Sequence, residues 1–300
     1  MLLNSAKPLA VYSLGGMLAL IISSTTALAI EPETVRLWDK AAPGALAEEE
    51  KDIPTAIVYL PEGTKEPTAA IVIFPGGGYG HLAMDHEGHQ IAQWANSMGM
   101  AGIIVSYRHR NRGYGHPAPM LDAQRAIRLT RDHAKQWNID PRRVGVMGFS
   151  AGGHLCTTVL THFDAGNPES EDAIDRQSCR PDFGIVCYAV IALGEDFTHR
   201  GSQRNLLGDS PSQELIDSLS NEKQVTSETP PCFVWHTAED KVVAAENSLR
   251  FYSALVKAGS PSELHIFPHG RHGIGLAKDF PGADAWPNLA ETWLKATMSK

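Results

Sequence analysis

The sequence predicts an α/β fold, a mostly parallel, doubly wound sheet flanked by helices. Two observations carry that expectation. From residue 55 onward, short β-branched runs alternate with helical patterns, the rhythm of strand–helix–strand units with right-handed crossovers. Most of the runs are continuously apolar rather than alternating, as strands covered on both faces of a parallel sheet must be.

In chain order the strand candidates are TAIVYL (55–60), AAIVIF (69–74), GIIVSY (102–107), VGVMGF (144–149), FGIVCYAVI (183–191), CFVWH (232–236) and ELHIF (263–267). The helix candidates between and after them are residues 88–99, 119–137, 151–163, 245–259 and 286–298. In the second of these, Leu121, Ile127 and Leu129 share an apolar stripe with Ala126 and Ala134, and a proline at the start suits a first turn. Two segments break the rhythm. Residues 164–182 carry DAGNPESED and read as a polar surface excursion, and residues 194–229 read as a long stretch with one short helix at most. A long insertion near the carboxyl ends of strands either covers a ligand site or is surface packing, and the sequence leaves both open. There is no repeat, low-complexity tract or linker, so residues 30–300 are expected to form a single domain.

Ahead of that domain, Lys7 precedes the apolar run PLAVYSLGGMLALII, and an A-x-A-like end falls at Ala27-Leu28-Ala29. This is the pattern of a signal peptide over residues 1–29, with cleavage near Ala29 and a secreted or periplasmic product. The run from Lys7 to Ser23 is shorter than the ~20 apolar residues of a spanning helix, so no stable membrane insertion is expected after cleavage. Cleavage removes Lys7 and no acid, moving the formal charge from −8 to −9. That balance disfavours nucleic acid and anionic membranes as partners. Oligomeric state is not readable. The four cysteines are too few for a disulfide framework and no C-x-x-C occurs. Cys156, Cys187 and Cys232 lie in apolar runs and read as core, whereas Cys179, in RQSCRPD, reads as exposed.

The chemistry begins at GVMGFSAGGHL, residues 145–155, where Gly148-Phe149-Ser150-Ala151-Gly152 matches G-x-S-x-G. Chance supplies roughly 0.2 such matches in a chain of this composition, so the surroundings must decide whether it counts. VGVMGF reads as a buried strand and the following residues open a helix, which places Ser150 in the strand-to-helix turn that holds a nucleophile out. After AAIVIF comes PGGGYGHLA, where Gly77 and Gly78 can turn backbone N–H groups toward an oxyanion together with that of Ala151. The acid candidates, Glu239 and Asp240, follow the strand CFVWH, and by spacing alone they are close. The base candidates, His269 and His272, follow ELHIF, with His272 next to the glycine-rich GIGL and preferred. The order Ser150…Asp240…His272 is one of the chain orders in which a serine triad occurs.

The stretches PGGGYGHLAMDHEG, SYRHR, GFSAGGHL, TPPCFVWHTAEDKVV and ELHIFPHGRHGIGLA resemble the α/β-hydrolase esterases that deacetylate plant polysaccharides. These are the acetylxylan esterase and feruloyl-esterase-like families of bacteria, and the similarity runs over roughly residues 55–280. The resemblance implies the α/β-hydrolase fold and a secreted serine esterase acting on acetylated carbohydrate or another small ester, without cofactor or metal. It favours Asp240 as the acid, although relatives often carry a second aspartate where this chain has Glu239.

Other classes remain in view. A peptidase of related fold usually carries a large additional domain, for which there is no room. A metal-dependent hydrolase could draw on His81, Asp85, His86 and His89. A non-catalytic sugar-binding module would have no use for a complete set of triad residue types. Tyr79 and Trp286 are either sugar-stacking surfaces near the site or core, and Trp235 reads as core.

Overall fold

Strand β3 (Thr68–Phe74) shows why the sheet sits in the middle of the molecule, because all seven of its residues are buried. Ala70, Val72 and Phe74 point into one apolar cluster, and Ala69, Ile71 and Ile73 into another. Alternation along a strand thus feeds two cores, one on each face of the sheet. The structure is a computed structural model that describes residues 1–2 and 31–299; all but the first two residues of the expected signal peptide lie outside the described residues.

The sheet has eight strands: β1 (Glu33–Arg36), β2 (Thr55–Tyr59), β3, β4 (Ala101–Ser106), β5 (Ile139–Phe149), β6 (Gly184–Cys187), β7 (Cys232–Thr237) and β8 (Glu263–Phe267). Their order across the sheet is β1-β2-β4-β3-β5-β6-β7-β8. The β1–β2 and β2–β4 pairs are antiparallel and every other pair is parallel. The helices are α1 (Gln90–Ser97), α2 (Ala118–Asp132), α3 (Ser150–Thr161), α4 (Arg200–Leu207), α5 (Gln213–Ser218), α6 (Glu246–Lys257) and α7 (Trp286–Met298). Residues of α2, α3 and α6 pack into the cluster with Val72, and residues of α1 and α7 into the cluster with Ile71. Both faces are therefore covered, as the sequence predicts.

Several expectations need correction. The run FGIVCYAVI leaves the sheet after Cys187. Tyr188 turns away at a positive φ of 34°, and the N–H groups of residues 191–193 are satisfied by side chains instead of a ladder. Asn247 Oδ1 accepts from the N–H groups of Ile191 and Ala192, and Ser220 Oγ from that of Leu193. Residues 194–229 hold two helices rather than one, α4 and α5, each capped by a side chain: His199 on Ser202 N–H and Ser212 on Leu215 N–H. Helix α2 ends at Asp132 and buries a charged pair as well as its apolar stripe, since Asp122 lies against Arg108. Cys179 is 0 % exposed, tucked under the 164–182 excursion with its N–H bonded to Asp164 O. The other three cysteines are buried as expected, and all four are free.

Candidate active site

Parallel strands deliver their loops to one edge of the sheet, and four of those loops carry the predicted site residues: Gly77 and Gly78 after β3, Ser150 after β5, Asp240 after β7 and His272 after β8. Ser150 is the first residue of α3 and holds a φ of +54°, a strained value for a residue with a side chain. The turn closes only because its flanks lack Cβ atoms. A Cβ on Gly148 would lie 2.1 Å from Gly152 O, and one on Gly152 would lie 2.1 Å from Phe74 O.

Ser150 Oγ is 2.7 Å from His272 Nε2, and His272 Nδ1 is 2.6 Å from Asp240 Oδ2. A carboxylate can only accept, so Nδ1 carries the ring proton and Nε2 is left to accept the serine O–H. Asp240 is itself saturated. Its Oδ1 accepts from the N–H groups of Val242 and Val243, both at 2.9 Å, and His236 Nε2 approaches Oδ2 to 3.4 Å. Burial acts to raise its pKa, but the hydrogen bonds from His236, His272 and Val243 outweigh it and hold the carboxyl well below the usual range. The competing candidates pair with each other instead: His269 Nδ1 sits 3.0 Å from Glu239 Oε1, both exposed.

The glycine loop faces the same edge. Gly77 has a φ of +127° and would place a Cβ 2.1 Å from His81 O, so only glycine fits. The carbonyl of Gly77 accepts from Gly80 and His81, and that of Gly78 accepts from Asn205 Nδ2 at 2.8 Å. Among the described residues the N–H groups of Gly77 and Gly78 meet no acceptor, and that of Ala151, in the first turn of α3, has none within its helix. These are the three donors the sequence singled out.

Helix α4 answers the question of the 194–229 insertion: it packs on the glycine loop through Asn205. A Cβ on Gly78 would come within 3.9 Å of Ser202 Oγ and 4.0 Å of His199 Cε1. Burial, and after it the proximity of His272, lowers the pKa of His199. The sequence leaves this stretch open between site cover and surface packing, because its polar residues GSQRN look like any solvated loop.

Tyr79 and Trp286 are core rather than sugar-stacking surfaces, at 2 % and 0 % exposure. Tyr79 O–H pairs with His154 Nδ1 at 2.9 Å, and Trp286 stacks on Trp235, which is core as expected. Neither ring has a face to offer a ligand. His81, Asp85, His86 and His89 are dispersed. His89 turns to Tyr59 O–H and Asp85 to Gln90, and among the described residues no group of three or more His, Cys, Asp or Glu could hold a metal ion.

A sheet of this order with a strained strand-end serine at its parallel edge makes the chain an α/β-hydrolase, and the relatives it matches include named esterases. The chain belongs to the BD-FAE family, whose model matches residues 57–255 and so includes Ser150 and Asp240 but stops short of His272. It is 44 % identical to an acetyl ester-xyloside bifunctional hydrolase from Caldicellulosiruptor lactoaceticus, with a TM-score of 0.85 over 90 % of this chain and 98 % of that one. It is 36 % identical to an acetylxylan esterase of Xylanibacter ruminicola over 80 % of this chain, and 40 % identical to endo-1,4-beta-xylanase B of Butyrivibrio fibrisolvens over 76 %. The chain spans only 48 % and 35 % of the length of those two curated relatives.

Proposed function

We propose that this chain is a serine carboxylesterase that removes O-acetyl groups from xylan-type polysaccharide through an acetyl-enzyme. The observation that carries the chemistry is the unbroken line Ser150 Oγ–His272 Nε2 and His272 Nδ1–Asp240 Oδ2, at 2.7 and 2.6 Å. The substrate class is supported by the relatives named as an acetylxylan esterase and an acetyl ester-xyloside bifunctional hydrolase.

In the first step Ser150 Oγ attacks the acetyl carbonyl carbon while His272 Nε2 takes the serine proton. Asp240 fixes the ring and stabilises the imidazolium. The carbonyl oxygen becomes an oxyanion and is met by the N–H groups of Gly77, Gly78 and Ala151. As the tetrahedral intermediate collapses, the C–O bond to the sugar breaks and His272 returns the proton to the departing sugar oxygen. Water then repeats the sequence on the acetyl-enzyme: His272 takes its proton, acetate leaves and Ser150 is regenerated. These steps call on no cofactor.

The substrate is an extracellular polymer, and the first 29 residues fit its export, with a mature chain starting at Ile30. Mass spectrometry of the exported protein tests this; an N-terminus still at Met1 would contradict it. Among the described residues no helix is long and apolar enough to cross a membrane.

The functional test is acetate release from acetylated xylan by residues 30–300, with Ser150→Ala and EDTA-treated controls. Ser150→Ala should lower turnover by a factor on the order of 10⁶ while EDTA changes nothing. Activity that survives the mutation but not EDTA would overturn the serine mechanism. Cleavage of p-nitrophenyl acetate without release from xylan would keep the chemistry and remove the polysaccharide.

A further inference from the structure

Glu87 is a buried carboxylate that the proposed mechanism does not use. It is 2 % exposed, and among the described residues its one ion-pair neighbour is the half-exposed His86, 3.7 Å away. Burying a carboxylate without an arginine or lysine is costly, and packing alone would be served as well by an apolar side chain. Glu87 is held there by a single π-helical turn, Asp85–His89, a form that occurs mostly as local bulges at functional sites.

Its two oxygens take donors from different loops. Oε2 accepts the N–H of Gly76 at 2.8 Å, and Oε1 accepts the O–H of Tyr188 at 2.8 Å. The Tyr188 oxygen in turn accepts the N–H of Gly275 at 2.9 Å, three residues past His272, and the Gly275 carbonyl accepts from the Trp286 indole at 3.1 Å. The Tyr188 and His272 rings meet in a T-shaped contact, with centroids 5.2 Å apart and planes at 69°. Tyr188 also holds the positive φ noted above, so both anchors sit on unusual backbone. One carboxylate and one phenol therefore join the loops that follow β3, β6 and β8.

Gly76 is the point where this bears on chemistry. A Cβ there would lie 2.6 Å from Glu87 Oε2 and 2.9 Å from Ser150 Cβ, so the peptide is wedged between the carboxylate and the nucleophile. Glu87 consumes the N–H of Gly76 and fixes the peptide plane from which those of Gly77 and Gly78 follow. We infer that Glu87 and Tyr188 are positioning residues, a strut that sets the oxyanion loop and the histidine loop at their working separation. The inference rests on the serine-esterase reading above.

The test compares wild type, Glu87→Gln, Tyr188→Phe and the double variant on p-nitrophenyl acetate, counting functional sites by labelling Ser150 with a fluorophosphonate. Glu87→Gln should lower kcat per labelled site about 10- to 100-fold with KM changed less than about threefold, because misplacement of donors and base acts on the transition state. Tyr188→Phe should lower it about tenfold, and the double variant should be no worse than Glu87→Gln, since both break one strut. Should Glu87→Gln not fold, Tyr188→Phe, which keeps the ring, carries the same expectation. A fall in labelled sites or Tm with kcat per site unchanged would make the pair merely structural and overturn the inference. Losses that multiply in the double variant would overturn the shared strut. Wild type that neither hydrolyses the ester nor is labelled would remove the esterase reading, and the inference with it.

Discussion

Two buried aspartates, Asp122 in α2 and Asp240 after β7, are surrounded by comparable sets of donors yet differ in what those donors can do. Asp122 takes the backbone N–H of Arg108 at 2.8 Å and its guanidinium through Nε and Nη2, the latter at 2.7 Å. Asp240 takes two backbone N–H groups and an imidazole. Burial dominates at Asp122 and pushes its pKa up to about 6 against the arginine's pull. At Asp240 the same burial is outweighed by its hydrogen bonds, and the pKa falls. The partner makes the further difference. A guanidinium never gives up its proton, so the Arg108 pair is a fixed clamp, whereas an imidazole can receive a second proton and return it. On the proposed mechanism, a hydrogen-bonded buried acid supports proton transfer when its partner can take up a proton and has somewhere to pass it.

The sharpest way to break this comparison is to neutralise each acid. Asp240→Asn should lower kcat on p-nitrophenyl acetate by about 10⁴, because the amide no longer enforces the tautomer that leaves Nε2 free. Its Tm should move little by comparison. Asp122→Ala should do the reverse, destabilising by about 3–5 kcal/mol by leaving Arg108 buried without a partner. Its kcat per fluorophosphonate-labelled site should stay within about twofold of wild type. Urea unfolding and site-normalised kinetics of both variants measure the two effects, and equal losses of activity per site would abolish the distinction.

Next in size is the glycine loop, where backbone geometry rather than charge is at stake. Gly77→Ala forces a side chain onto a φ of +127° and into His81 O, so the loop must move. Turnover should fall about 10²- to 10³-fold, the range for losing an oxyanion donor, with KM little changed. Steady-state kinetics on p-nitrophenyl acetate decide it, and a variant as active as wild type would take Gly77 out of the oxyanion site.

The balance between what the sequence revealed and what it hid follows from the range of the interactions. Doubly apolar strands such as AAIVIF announce a covered sheet, because burial on both faces is written residue by residue. The G-x-S-x-G turn is local too, and Ser150 could be placed in it from its neighbours alone. Asp240 and Glu239 could not be separated by spacing, since only the fold shows which faces His272 and which pairs with His269 at the surface. Glu87 lay unread within MDHEGH, where the flanking histidines drew attention as metal ligands. Its partners Gly76, 11 residues before it, and Tyr188, 101 residues after it, meet it only once the sheet has formed. FGIVCYAVI looked like one strand because an apolar run does not record where Asn247 and Ser220 will take over its backbone bonds. Cys179 looked exposed because its cover, the polar excursion, folds back over it.

The smallest expected effect is a pair of opposed pH slopes. The pKa of Asp240 is lower in the folded chain than its ordinary value of 3.8. Its contribution to stability is therefore complete above that value and is lost as pH falls through the folded one. Asp122 runs the other way: pushed up to about 6, it binds its proton more tightly folded than unfolded. Relative to acid conditions, it therefore loses stability as pH rises between 3.8 and about 6. Urea unfolding of wild type, Asp240→Asn and Asp122→Asn at a series of values from about pH 3 to 7 reads both slopes. The free-energy gap between wild type and Asp240→Asn should narrow toward the acid end. The gap to Asp122→Asn should widen over the same descent, and the changes should be about 1–3 kcal/mol. Slopes of the same sign would mean that the arginine clamp, not burial, governs Asp122, and that the two acids differ only in what their partners do with a proton.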